Sequence, residues 1–429
     1  MSFNKRTVLK IEKRTQPEWA LLIILFITMF SGFFINVLHV PSAIKYVIDV
    51  TIIFVLFLAL MNLHTKKVFV PQNAKIVLVW VVAFFAITLA VYLCNFQSPF
   101  YYLWGLRNNF RFYLVFFFTI LFFSRNSVEW MLKFFDVFFW INSAMCLIQF
   151  VFFGLKGDFL GGFFGTEKGC NGYLNIFLTI AAIKFIIFYL NKKESLALFA
   201  IKSATALLIA TVAEIKFFYV EFIVILVAGI LVTDFSFRKV SLVLVGISSV
   251  TLSVWILGRL FPNFADVISF EYFLEGSTTG GYASAEQLNR LTTIPVLSEE
   301  ILTTMPEKWF GLGLGNCDFS NFDFLKTPFY YDFGYLRYYW FSTSFWFVET
   351  GFIGMIFFFG FFLIVAVLCI LMMRKNDANK IYCQMAVITA VSCVLISIYN
   401  SSIRNESGFL LYFMLARPFI AQKRITTDE

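Results

Sequence analysis

The chain has 429 residues, of which 60% are hydrophobic and 14% charged, and a formal net charge of +8. That balance leaves too little polar surface for a soluble protein of two or three domains, so the solvent around it is lipid. The positive charge falls in short clusters between apolar runs and not in one stripe, which speaks against nucleic acid as a partner; seven Cys without a CxxC pair, and only His39 and His64, speak against a Cys/His metal site.

Lys5, Arg6, Lys10, Lys13 and Arg14 precede an apolar run that lacks a small-residue cleavage site, so the N-terminus reads as an uncleaved first span. A bilayer core of about 30 Å needs roughly 20 apolar residues, and only a helix or a closed barrel satisfies its own backbone there. On that measure candidate spans cover 19–38, 44–63, 75–96, 108–123, 131–153 and 173–190. Six more cover 195–213, 217–233, 240–257, 344–372, 381–399 and 408–419, the last short enough to be interfacial. Alternate loops are basic, among them Arg125 with Lys133, Lys192 with Lys193, and Arg238 with Lys239, so both termini are expected in the cytoplasm. The expected fold is an all-α polytopic membrane protein of about twelve transmembrane helices with one large extracytoplasmic loop containing short helices. Three regions follow: helices 1 to 9 in 1–257, the loop in 258–341, and helices 10 to 12 in 342–429.

Loops as long as 258–341 are usually functional. Within it Ser284 and Gln287 form a capping-box pattern for a helix running through Arg290 to Thr293, with Pro295 stopping or kinking it. Gly311, Gly313 and Gly315 lack the preceding strand and the Lys-Ser/Thr of a nucleotide loop, and are expected to make a tight turn that packs the loop on the membrane domain. The aromatic stretch from Phe319 to Trp340 fits an interfacial belt, or a surface that stacks on sugar rings.

Cations near the outer face are costly where they approach hydrocarbon, and an anionic ligand offsets that cost. Arg107 and Arg111, four residues apart, share one helical face and suit the oxygens of a diphosphate; snorkelling, or pairing with a structural carboxylate, is the alternative. Glu214 and Lys216 lie at a tight junction between two spans, where they contact a ligand or satisfy each other. Arg290 faces a ligand or solvent from the large loop. Glu349, early in the tenth span, must pair, protonate or face a polar cavity. Arg404 and Glu406 read as ligand contacts or as a local pair. Cys170 and Cys317 fall in outer loops, where an oxidising compartment permits a bridge.

This order of features resembles the O-antigen ligase and polymerase superfamily. The likeness rests on about twelve spans, a large outer loop with Arg290, the Gly311 to Gly315 turn, and Glu349-Thr350-Gly351-Phe352-Ile353-Gly354. Gly161-Gly162-Phe163-Phe164-Gly165 followed by Asn171 looks like that family's glycine-and-asparagine stretch. The resemblance implies a bacterial cytoplasmic-membrane enzyme that transfers glycan from a polyprenyl diphosphate without cofactor or metal. It implies that Arg290, with Arg107 or Lys216, holds the diphosphate; for the displacement itself, Glu349 or Glu214 is expected to orient or deprotonate the acceptor. Further partners would be membrane lipid, a flippase and a chain-length regulator. Where the ligase branch has a His, this chain reads Trp340-Phe341-Ser342-Thr343-Ser344, which favours a polymerase of O-antigen, capsule or exopolysaccharide. A flippase for lipid-linked oligosaccharide, and a ligase for another acceptor, are the rival expectations.

Overall fold

The computed structural model describes residues 14–65, 70–260, 287–320, 322–375 and 379–420. Among them there is no strand, and a helix lies at each of the twelve apolar stretches. The first nine are α1 (Gln16–Asn36), α2 (Tyr46–His64), α3 (Gln72–Asn95), α4 (Pro99–Phe122), α5 (Arg125–Phe153), α6 (Cys170–Leu190), α7 (Leu196–Val212), α8 (Lys216–Val232) and α9 (Arg238–Leu260). Short helices α10 (Thr293–Val296), α11 (Met305–Phe310) and α12 (Pro328–Phe333) follow. Then come α13 (Ser342–Met373), α14 (Lys380–Tyr399) and α15 (Gly408–Ala416).

Among the described residues eight helices are long and apolar enough to cross a membrane: α1, α2 with the turn before it, α3, α5, α6, α9, α13 and α14. The centre of the bundle is α6, with 89% of its apolar window buried, while α2, α3 and α9, at 22% each, lie on the periphery. The short α15 does not lie on the surface of the bundle. Every residue from Gly408 to Phe419 is buried, because α4, α6 and α14 enclose it.

Local chemistry sets the helix ends. Pro99 opens α4 nine residues ahead of the expected start, since its fixed φ suits a first helical turn. Arg107 and Arg111 therefore sit two to three turns inside the helix instead of at its mouth. Ser124 and Ser195 cap α5 and α7 by accepting from the backbone N–H of Ser127 and Leu198.

In the large loop, Ser284 lies outside the described residues, and the capping-box helix is not found over 287–292, which forms turns. Pro295 neither stops nor kinks a helix. It occupies the first turn of α10, where an N–H would have no partner anyway. The capping box found in the loop is elsewhere, at α11, where the Thr304 hydroxyl accepts from Glu307 N–H and the Glu307 carboxylate accepts from Thr304 N–H.

The loop is pinned to the bundle by the glycine turn and a break in α13. At Gly351 the helix adopts φ 63°, ψ −165°, which frees the carbonyls of Val348 and Glu349. The N–H groups of Leu312 and Gly313 donate to those carbonyls at 2.9 and 3.0 Å. Gln97 and Asn95 donate to the carbonyls of Leu314 and Leu312 from the other side. A Cβ at Gly105 would stand 2.5 Å from the Gly315 nitrogen, so α4 meets this turn backbone to backbone.

Candidate functional site

Two clusters of charge form at the end of the bundle that carries the large loop. The first is centred on α4. Asp49 of α2 accepts from Arg107 Nη2 and Nε at 2.6 and 3.1 Å, and its other oxygen faces Arg111 Nη1 at 3.4 Å. Arg111 also reaches Glu406 at 3.4 Å, and Tyr173 donates its hydroxyl to Glu406 at 2.8 Å. Burial opposes the charge of Glu406, but Arg111 and Lys45, with the hydroxyl of Tyr173, hold its carboxyl down at about 2.

Next to Arg107, Asn108 donates to Asp318, whose other oxygen accepts from Phe319 N–H at 2.8 Å. Burial raises the Asp318 carboxyl above its usual range, and Arg404 and Asn108 offset part of that rise. The Arg404 guanidinium lies 3.1 Å from the Phe345 ring centroid, facing Asp318 and Glu349; burial lowers it to about 10 against the pull of those two acids. Glu349, fully buried just ahead of the Gly351 break, has the backbone N–H groups of Gly315 and Cys317 turned toward it. Arg404 and Glu406 are therefore not a local pair: each reaches a different acid or base on another element.

Asp49, Asp318, Glu349 and Glu406 balance Lys45, Arg107, Arg111 and Arg404, four against four. The formal count balances, and the cluster joins α2, α4, α13 and the loop.

The second cluster lies where α7 meets α8. Glu214 closes that junction in the left-handed region at φ 51°, a conformation that costs a residue with a side chain about 1 kcal/mol or more. Its carboxyl packs over Gly157, where a Cβ would come within 3.2 Å. Burial raises the Glu214 carboxyl, and Lys216 and Lys156 pull it down. Asn171 steadies the junction, donating to Asp158 at 3.1 Å and to the Ala213 carbonyl at 3.3 Å.

Lys216, the first residue of α8, is in electrostatic contact with Glu214 and with Arg290 of the large loop. Arg290 donates through Nε to the Tyr399 carbonyl at 3.2 Å and lies over that ring at 4.2 Å. Tyr399 also stacks on Phe217, centroids 3.9 Å apart. Lys156, Lys216 and Arg290 here meet Asp158 and Glu214, three cations to two acids.

The residues expected to form one site thus divide. Arg107, Arg111, Arg404 and Glu349 belong to the first cluster, and Glu214, Lys216 and Arg290 to the second. Residues 399–407 connect them, with Tyr399 in one and Arg404 and Glu406 in the other. Sequence reading missed Asp49, the sole acid within its own apolar run and so legible in principle, and also Asp318, Phe217 and Tyr399, which carry no local signal.

No bridge joins Cys170 to Cys317. Both thiols are free: Cys170 donates to the Asp158 carbonyl, and Cys317 lies by Glu349 and Tyr338 in the first cluster. His39 is exposed at the end of α1. Among the described residues no group of three or more His, Cys, Asp and Glu is placed to hold a metal ion.

Chemically, the second cluster can attract an anion through Lys216 and Arg290 and offer a carboxylate, Glu214, beside it. No protein-family model matches the sequence, and no curated protein is significantly similar to it.

Proposed function

We propose that this chain polymerises polyprenyl-diphosphate-linked oligosaccharide units into a surface polysaccharide at the outer face of a bacterial cytoplasmic membrane. In this proposal α4, α7, α8 and α15 join the eight long apolar helices as spans, both termini are cytoplasmic, and the loop end of the bundle faces outward. The observation that carries it is that Lys216, at the start of α8, interacts electrostatically both with Glu214 and with Arg290 of the large loop. Cations gathered at the lipid-facing end of a membrane protein suit an anionic headgroup.

In the reaction, a hydroxyl of an incoming unit attacks the anomeric carbon of the lipid-linked chain. The bond from that carbon to the diphosphate oxygen breaks, and the lipid diphosphate leaves with the electron pair. Lys216 and Arg290 stabilise the charge that develops on it, an effect worth several kcal/mol in a water-poor site. Glu214 takes the hydroxyl proton; burial makes it a stronger base than an exposed carboxylate. Glu349 is assigned no such step, because it is fully buried in the balanced cluster. Arg107, Arg111 and Arg404 act in the proposal by fixing the loop over the bundle.

The test is Arg290→Ala in cells. The variant should reach the membrane and leave single lipid-linked units displayed outside without polymer. Polymer of normal length would overturn the role of Arg290, and units trapped inside would point to a flippase.

A further inference from the structure

Below the second cluster, α6 and α8 carry three polar side chains into the interior of the bundle. Glu221 lies five residues along α8 from Lys216, about 7.5 Å deeper. It has no exposed surface, and neither does Thr179 of α6; Asn175, one turn earlier on α6, is 1% exposed. Thr179 donates to Glu221 Oε2 at 3.0 Å. The other oxygen, Oε1, makes no well-formed hydrogen bond, and neither do the amide oxygen and nitrogen of Asn175, although the Asn175 side chain approaches the carboxyl as a polar neighbour. From α14 the thiol of Cys393 also faces it. No Lys or Arg pairs with Glu221 among the described residues, in contrast to Glu349, which faces Arg404, and Glu406, which has Arg111.

A carboxylate buried without a cation costs far more than the same group as a neutral acid. Orphaned polar atoms at such depth call for a ligand small enough to reach them. A proton on Oε1 meets both needs, since it removes the charge and turns an orphan acceptor into a donor facing the Asn175 amide.

We propose that Glu221, with Asn175 and Thr179, is a proton-binding site inside the helix bundle, holding a neutral carboxylic acid at a bulk pH where exposed carboxyls are ionised. The assignment stands independently of the polymerase proposal, because it requires no glycan substrate.

Infrared spectroscopy of the purified full chain in lipid tests it near neutral pH. The expected spectrum contains the C=O stretch of a protonated carboxylic acid. That band disappears in Glu221→Gln, shifts in Glu221→Asp, and is unchanged by high NaCl or KCl. Should Glu221→Gln fail to fold, the wild-type and Glu221→Asp spectra carry the comparison. A wild type whose acid band does not respond to substitution at Glu221 overturns the proposal. So does an acid band that vanishes on adding sodium or potassium, which would make this a metal-cation site.

Discussion

Phe217 and Tyr399 stack almost perfectly parallel, their ring planes 3° apart, and the Arg290 guanidinium lies 4.2 Å from the centroid of the tyrosine ring. The first side chain of α8 after Lys216 and the last residue of α14 thus make a shelf for a cation from the large loop. Ring stacking and the cation over it are worth about 1–2 kcal/mol together. Under the proposed polymerase activity, Tyr399→Ala is therefore expected to slow chain extension about tenfold, while Tyr399→Phe, which keeps both ring contacts and the backbone carbonyl, stays close to wild type. Product length from purified protein and lipid-linked units measures this. Equal loss in both variants would show that the hydroxyl matters and not the shelf.

Glu406 gives the first cluster a defined response to acid. Its folded carboxyl sits at about 2 and its ordinary value is 4.5. Stability from this group is therefore fully present above about 4.5 and is lost as the pH falls toward about 2. Glu406→Gln removes one of the two acidic partners of Arg111 and leaves Asp49, so the cost is expected to fall below the figure of about 3–5 kcal/mol for breaking a buried pair outright. Melting curves of both proteins should differ most near neutral pH and converge through that acid window. A gap that does not change with pH would show that the charge on Glu406 is not what stabilises the fold.

The helices were legible because lipid demands long apolar runs, and the spacing of the two α4 arginines was legible because a helix repeats every 3.6 residues. Their partners were not. Asp318 is 210 positions from Asn108, which it accepts from, and Glu406 is 295 from Arg111; no periodicity links such pairs. The glycine turn could be read as a packing device, yet the break at Gly351 that receives it could not, since the glycines of Glu-x-Gly-x-x-Gly look from sequence like any small residues in a span. Local chemistry also misled where two signals were equivalent: Ser284 with Gln287 and Thr304 with Glu307 both have capping-box spacing, and only the second lies on a described helix.

Gly351 supplies a sharper test of how the loop is held. A Cβ there would stand 2.4 Å from the Trp309 carbonyl carbon and 2.6 Å from the Phe310 nitrogen, both backbone atoms that cannot swing aside. Its dihedrals also fall in a region that is essentially glycine's own, with strain of order 1–3 kcal/mol for any other residue. Gly154 is the control: it too has positive φ, at 64°, but nothing lies within 4 Å of its Cβ position. Gly351→Ala is expected to lower the melting temperature in detergent far more than Gly154→Ala. Equal shifts would mean that backbone strain alone, and not the seat for the glycine turn, accounts for the effect.

The orientation of the bundle can be read from one thiol. Cys94, near the end of α3, is exposed, whereas Cys146, Cys170, Cys317, Cys369, Cys383 and Cys393 are buried. Asn95 beside it donates to the Leu312 carbonyl, so Cys94 marks the loop end of the bundle. If that end faces outward, a membrane-impermeant maleimide applied to intact cells should label a single cysteine, and Cys94→Ser should abolish the label. Labelling that appears only after the membrane is permeabilised would place the loop, Arg290 and Lys216 in the cytoplasm. A polymerase working on lipid-linked units already carried outside would then have no site to work from, although the helix packing and the ion-pair network would stand unchanged.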